Sequence, residues 1–294
     1  MHFPAHLFFP LASSVGYVLA VLLLKRSAHW GVGVWRTTFV SNLGMGVVFA
    51  LLYPLGGTGQ PASMLWQPLV GAVLFFMGQV FTFLALNYGD VSVATPVLGV
   101  KIVLVAFCSV MLLPEPVPVV WWIAAGLSTL AIVLLSRGDS RPKHAVGRTV
   151  ITAGLAAVCF AMTDVLTQKW APAWGVGRFL PLMFGAVAGL SVLLIPFFNA
   201  PLTAVPKRAW GWLVGGSVLL AMQAASMAYV LGVFGDATAV NIVYSARGLW
   251  SVAAVWLIGH WFSNEEQTLA PAVLRSRLIG AGLMLAAILL VVLG

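Results

Sequence analysis

Apolar residues fill this chain in long unbroken stretches; they do not alternate, and they do not recur as a stripe. Ten stretches stand out, at 7–24, 35–54, 66–87, 91–113, 118–135, 149–169, 178–198, 210–231, 237–261 and 276–293. Each is close to the roughly 20 apolar residues that a helix needs to cross a bilayer. A membrane β-strand would alternate over about ten residues, so the stretches predict helices. Polar and turn-forming joints separate them, among them KRSAHWGVG, GGTGQPAS, PEPVP, NAPLTAVPKR and two Gly-Asp pairs. The joints are too short for a soluble domain. The pattern predicts an all-α integral membrane protein of ten transmembrane helices. The first stretch lacks a basic leader and an A-x-A site, so it is expected to be a retained helix and not a cleaved signal.

Composition sharpens this picture. The chain of 294 residues is 61% hydrophobic and 7% charged, against about 25% charged in soluble domains. Its net charge of +8 gathers at the joints, where membrane topology explains it, so nucleic acid is not expected as a partner. Loops 1–2, 5–6, 7–8 and 9–10 hold eleven cations (Lys25, Arg26, Arg36, Arg137, Arg141, Lys143, Arg148, Lys207, Arg208, Arg275 and Arg277). The opposite side holds Lys169 and Arg178. Positive charge favours the cytoplasmic side, which predicts both termini outside. A multi-pass protein of the cytoplasmic (inner) membrane is expected. Cys108 and Cys159 have no metal-ligand or redox spacing, and no cofactor or metal is expected.

The chain is also written twice. HWGVGVWR at 29–36 recurs as AWGVGRFL at 173–180, an offset of 144. At that offset Gln79 meets Gln223 and Thr82 meets Ser226. From the Gly-Asp pairs onward the offset is 146, so Asp90 meets Asp236, Ser92 meets Thr238 and Lys101 meets Arg247. IAAGL at 123–127 later meets IGAGL at 279–283. The expected domains are therefore two five-helix repeats, 1–143 and 144–294. Five is odd, so the second copy enters the membrane from the opposite face. Such inverted repeats are an architecture of secondary transporters, with the substrate near the midplane.

Lys101 lies about halfway along the fourth stretch, ~15 Å from either end at the helical rise. That is beyond the reach of a snorkelling lysine. Arg247 is equally deep in the ninth stretch. A charge at the helix centre costs about 2.5–3.5 kcal/mol on insertion scales. Three readings stay open: the cations bind an anionic group of a substrate in a wet cavity, they pair with acids and lock the halves together, or they bind helix carbonyls. The acid well inside a helix is Asp164, whose repeat counterpart is Ala20. Asp164 is either the charge partner of a cation or a proton-coupling acid.

Further candidates for a substrate cavity are Gln79, Thr82, Gln223, Ser226, Asn241, Tyr244 and Trp250. Tyr244 and Asn241 precede Arg247 by three and six residues, on one broad helix face. Each of these side chains also suits a plain interhelical hydrogen bond. Glycine-rich segments GMGVVFA, GAVAGLS and GGSVLLA permit close helix approach. Pro96 is expected to kink the fourth helix near Lys101.

The segment LALNYGDVSVATPVLGVKIVLVAFCSVMLLPEP at 84–116, with two five-helix halves, resembles the drug/metabolite transporter superfamily and its EamA-type permeases. In that family the fourth helix ends near an acid, a place held here by Glu115, with Glu265 and Glu266 slightly further on in the second half. The resemblance implies a permease for small metabolites. By likeness to phosphate translocators of the superfamily, it implies an anion clamp of Lys101 and Arg247. The expected partners are a small-molecule substrate and the lipid bilayer, with protons as a candidate coupling ion and monomer and dimer both open. The runner-up readings are an exporter of amino acids, amines or drugs with the two cations structural, and a lipid flippase or scaffold. An enzyme is not expected: no H-E-x-x-H or G-x-S-x-G occurs, and the five histidines are terminal or near loops.

Overall fold

A computed structural model describes residues 4–88, 91–136, 146–258 and 271–293. Among these residues there is no strand. The helices are α1 (Phe8–Ala28), α2 (Val34–Ala50), α3 (Trp66–Tyr88), α4 (Val91–Gly99), α5 (Lys101–Leu112), α6 (Val119–Leu135), α7 (Val146–Trp174), α8 (Val176–Leu190), α9 (Lys207–Val233), α10 (Ala237–Tyr244), α11 (Arg247–Ile258) and α12 (Pro271–Leu293). A 3₁₀ turn, Ala5–Leu7, precedes α1. Among the described residues, eight segments are long and apolar enough to cross a membrane. Two of the ten expected stretches are not among them. The fifth stretch gives only the 17 residues of α6, and the ninth is divided between α10 and α11.

The chain clusters into two compact units. The first takes Met1–Leu11, Met77–Val165 and Asp236–Gly294, and the second takes Ala12–Phe76 and Leu166–Gly235. Each unit draws on both sequence repeats.

In the second unit, α2 packs on α8 and α9. Its core holds Met45, Phe49, Trp174, Phe179, Met183 and Phe184, with the Phe49 and Phe184 rings stacked at 3.7 Å. The glycine-rich segments work only in part as close contacts. A Cβ on Gly46 would stand 2.9 Å from Ala188 Cβ, and one on Gly216 would stand 2.8 Å from Leu24. Gly185, Gly189 and Gly215 meet nothing within 4 Å, so they face away from neighbouring helices. The two WGVG motifs fold alike at their first glycine: Gly31 has φ +76° and Gly175 has φ +75°. This left-handed conformation needs glycine, and it turns α1 into α2 and α7 into α8. Arg36, counted above as a loop charge, is instead in the first turn of α2 and 3% exposed. Its guanidinium donates to the carbonyls of Gly31 at 2.6 Å and Pro201 at 3.4 Å. It is a clamp on two turns.

In the first unit, α12 lies along α6, where a Cβ on Gly280 would come within 3.0 Å of the Ala131 carbonyl. Helix α5 packs against both α6 and α10. Two stretches expected to be single helices are each broken here, after Gly99 and after Tyr244. At the first joint the Val100 amide donates three residues back, to Val97. At the second, Ala246 donates to Val243 and Gly248 to Ser245. Both joints are tightened to 3₁₀ spacing, a mid-helix feature that often marks a hinge. The causes differ. Pro96, four residues before the first joint, has no amide to donate to the Ser92 carbonyl and crowds it, which loosens the turn that leads into the joint. At the second, the Ser245 hydroxyl bonds back to the Ile242 carbonyl, a contact that competes with the ladder.

Candidate functional site

Each joint delivers a cation. Lys101 is the first residue of α5 and Arg247 the first of α11. Both line one small cavity in the first unit, with Ile132, Asn241, Tyr244 and Ser245 among the other lining residues. The antiparallel run of α5 against α10 brings this about, because the start of α5 stands beside the end of α10. The cavity's volume is about 20 Å³. That is enough for one water.

Asp164, from α7, meets Lys101. The Lys101 Nζ lies 2.7 Å from Asp164 Oδ2, with side chains 18% and 16% exposed. Asn241 Nδ2 donates to the same Oδ2 at 2.8 Å and to the Ala237 carbonyl at 2.9 Å. Two donors thus converge on one carboxylate oxygen, a charge-assisted arrangement. The Lys101 ammonium also stands 5.9 Å from the Phe160 ring centre. Arg247 holds its guanidinium 4.8 Å from the Tyr244 ring centre, within cation–π range.

The remaining sequence candidates lie elsewhere. Thr82, in the first unit, donates to its own helix at Gly78 O, 2.8 Å away, and Gln79 is half-buried on the same helix. In the second unit Gln223 donates to Leu220 O at 3.0 Å, and Ser226 is half-buried. Trp250 is 39% exposed and is not among the cavity's lining residues. Asp90, Glu265 and Glu266 lie outside the described residues, as do Arg137, Arg141 and Lys143.

One cluster escaped the sequence reading. At the far end of α10, Asp236 Oδ2 stands 3.8 Å from His6 Nε2. Burial raises the Asp236 carboxyl above its ordinary range; His6 opposes this, and nearby Glu115 adds to it. The Gly-Asp joint was visible in the sequence, but its partner is 230 residues away, and no local pattern pairs the two.

Residues 5–137 match the EamA-like transporter family, part of the drug/metabolite transporter superfamily. The chain carries an EamA-like transporter domain. No curated protein matches it. A solved crystal structure of a protein superposes with a TM-score of 0.78 over 98% of both chains, at 17% identity; this likeness carries the fold alone.

The EamA-like match takes in Gln79, Thr82, Lys101 and Glu115. It stops before Asp164, Asn241, Tyr244 and Arg247. The carboxylate on Lys101, and the second cation, come from the part of the chain that the family match leaves out.

Proposed function

We propose that this EamA-type membrane transporter is a secondary active carrier, which moves a small anionic or zwitterionic metabolite across the cytoplasmic membrane by alternating access. Lys101 and Arg247 form the anion clamp, and Asn241 and Tyr244 complete the wall. One observation carries the reading: two cations, Lys101 and Arg247, line one cavity, with Asp164 bonded to Lys101 and Asn241 in its wall. Two cations converging in a low-dielectric setting favour an anionic guest. Arginine suits a bidentate carboxylate or phosphate, and lysine a point contact. Metabolite sites are ordinarily ~300 Å³ or more, and this cavity holds one water. A guest therefore requires the cavity to open, and the tightened joints behind both cations supply places for it to do so.

A second reading makes Lys101 structural, and the 2.7 Å contact to Asp164 favours it. Substrates would then be amino acids, amines or drugs. Thermal stability of the purified chain against sugar phosphates, carboxylates, amino acids and lipophilic amines separates the two. A ligand at a hundredfold excess over Kd adds about 2.7 kcal/mol. The clamp predicts stabilisation by anions that is lost in Lys101→Ala and in Arg247→Ala. Stabilisation by amines alone, unchanged in both variants, would overturn it.

A further inference from the structure

The ion pair sets a problem for the guest it is proposed to receive. Lys101 already holds a carboxylate, and an incoming anion must replace it. Were Asp164 to swing away charged, it would stand beside that anion in a site with little water, and like charges there resist ionising together. A proton on Asp164 removes the conflict. The Asn241 amide can also donate, more weakly, to the carbonyl oxygen of a neutral acid, so the side chain keeps one bond when it loses Lys101.

The first unit also holds a polar route to this acid. Thr238 is one turn from Asn241 on the same face of α10 and 1% exposed. Ser109 is two turns along α5 from Lys101 and 3% exposed. Both hydroxyl oxygens are buried without a hydrogen-bond partner. Buried hydroxyls are ordinarily satisfied, by ordered water where protein offers no partner. Helices α5 and α10 pack on each other, and both residues lie along them between the cavity and the end that holds Asp236, its partner His6 at 3.8 Å, and Glu115. Titratable groups thus mark the outer end, unsatisfied hydroxyls the middle and Asp164 the inner end.

Resting on the anion-carrier reading, we infer that Asp164 takes up one proton from solution as a substrate anion replaces it on Lys101, and that this proton travels the α5–α10 seam from the Asp236–His6–Glu115 end. The step balances. The carboxylate becomes a carboxylic acid, Lys101 stays an ammonium, and Lys101 with its acid or its monovalent guest is neutral before and after. A monovalent anion and its proton move together without net charge. The charged or titratable groups around Asp164 are Lys101 from α5, Arg247 from α11, Tyr244 from α10 and Cys159 from α7 itself. Helices α4 and α6, and α3 from Met77 to Leu86, bring no ionisable side chain.

The test uses the purified full chain and methanesulfonate, a monovalent anion of constant charge that has no carbonyl band. Its affinity is expected to rise about tenfold per unit fall in pH, the slope for one linked proton. In Asp164→Asn the affinity is expected to be independent of pH, at the wild type's low-pH value, and in Lys101→Met to be lost. Infrared difference spectra of the wild type should show a carboxylic-acid band on adding methanesulfonate, a readout that stands even if Asp164→Asn folds poorly; absence of that band overturns the inference. Binding through Lys101 with no pH dependence, or with the same dependence in Asp164→Asn, also overturns it and leaves the anion reading standing. No binding at any pH overturns both. After a pH jump, the band should rise several-fold more slowly in Ser109→Ala/Thr238→Val with its midpoint unmoved, and an unchanged rate rejects the seam as the route.

Discussion

Lys101 and Arg247 occupy the same place in two helices broken the same way, yet they are held differently. Each opens a half-helix behind a 3₁₀ joint. Lys101 is fixed by an ion pair of 2.7 Å; Arg247 lies over an aromatic ring at 4.8 Å. The sequence repeat makes the two cations counterparts, and it makes Asp164 the counterpart of Ala20, so the carboxylate is where the repetition fails. The two joints are alike in backbone, and the chemistry is divided between a cation held by an ion pair and a cation held over an aromatic ring.

The largest expected effect breaks the first of these. Asp164→Ala leaves the Lys101 ammonium largely buried without its acid and should cost about 3 kcal/mol, read from denaturation of the detergent-purified protein. The double variant Lys101→Met/Asp164→Leu should recover most of that loss. A double variant as unstable as the single one would mean that the pair is not what fixes Lys101. On the other side, Tyr244→Leu removes the platform and should cost only about 0.5–1 kcal/mol beyond the lost packing. A double-mutant cycle with Arg247→Met isolates that share.

The joints sharpen the comparison further. Pro96→Ala restores a backbone donor in α4 and should stabilise on the order of 1 kcal/mol, with slower exchange between conformers in relaxation measurements. Ser245→Ala acts at the joint without a proline and should change stability by no more than about 0.5 kcal/mol. A larger effect at Ser245 than at Pro96 would show that the two joints do not arise as described.

The smallest effect lies where α10 begins. The folded Asp236 carboxyl is raised above its ordinary value of 3.8, by burial first. The folded state therefore binds this proton more tightly than the unfolded one. Its contribution to stability falls as pH rises from about 3.8 through the raised folded value, and is constant above it. Asp236→Asn removes this slope, and its φ of +55° suits asparagine. The melting temperature of the variant should gain on wild type as pH rises through that window. Parallel profiles would mean that burial does not govern this carboxyl.

Much of the helical framework was legible because apolar runs of membrane length leave little else for the backbone to do. The cations were legible for the converse reason: an ammonium amid Val, Leu and Ile is conspicuous. The second joint was not, since it rests on one hydroxyl, Ser245, in a segment with no proline. The choice of Asp164 between two cations was left open, because it depends on where α7 lies beside α5 and α10. Arg36 looked like a loop charge until the turns it clamps were folded around it. Six residues from the N-terminus, His6 carried no sign of Asp236.

A 3₁₀ turn holds three residues where an α turn holds 3.6, and it rises about 2.0 Å per residue against 1.5 Å. A joint of about three residues that relaxed from one to the other would rotate the half-helix behind it by roughly 60° and draw it in by ~1.5 Å. Lys101 and Arg247 are the first side chains beyond such joints, so each sits on a short crank: a small rewinding of backbone, with no helix unfolded, would swing a positive charge through about a sixth of a circle.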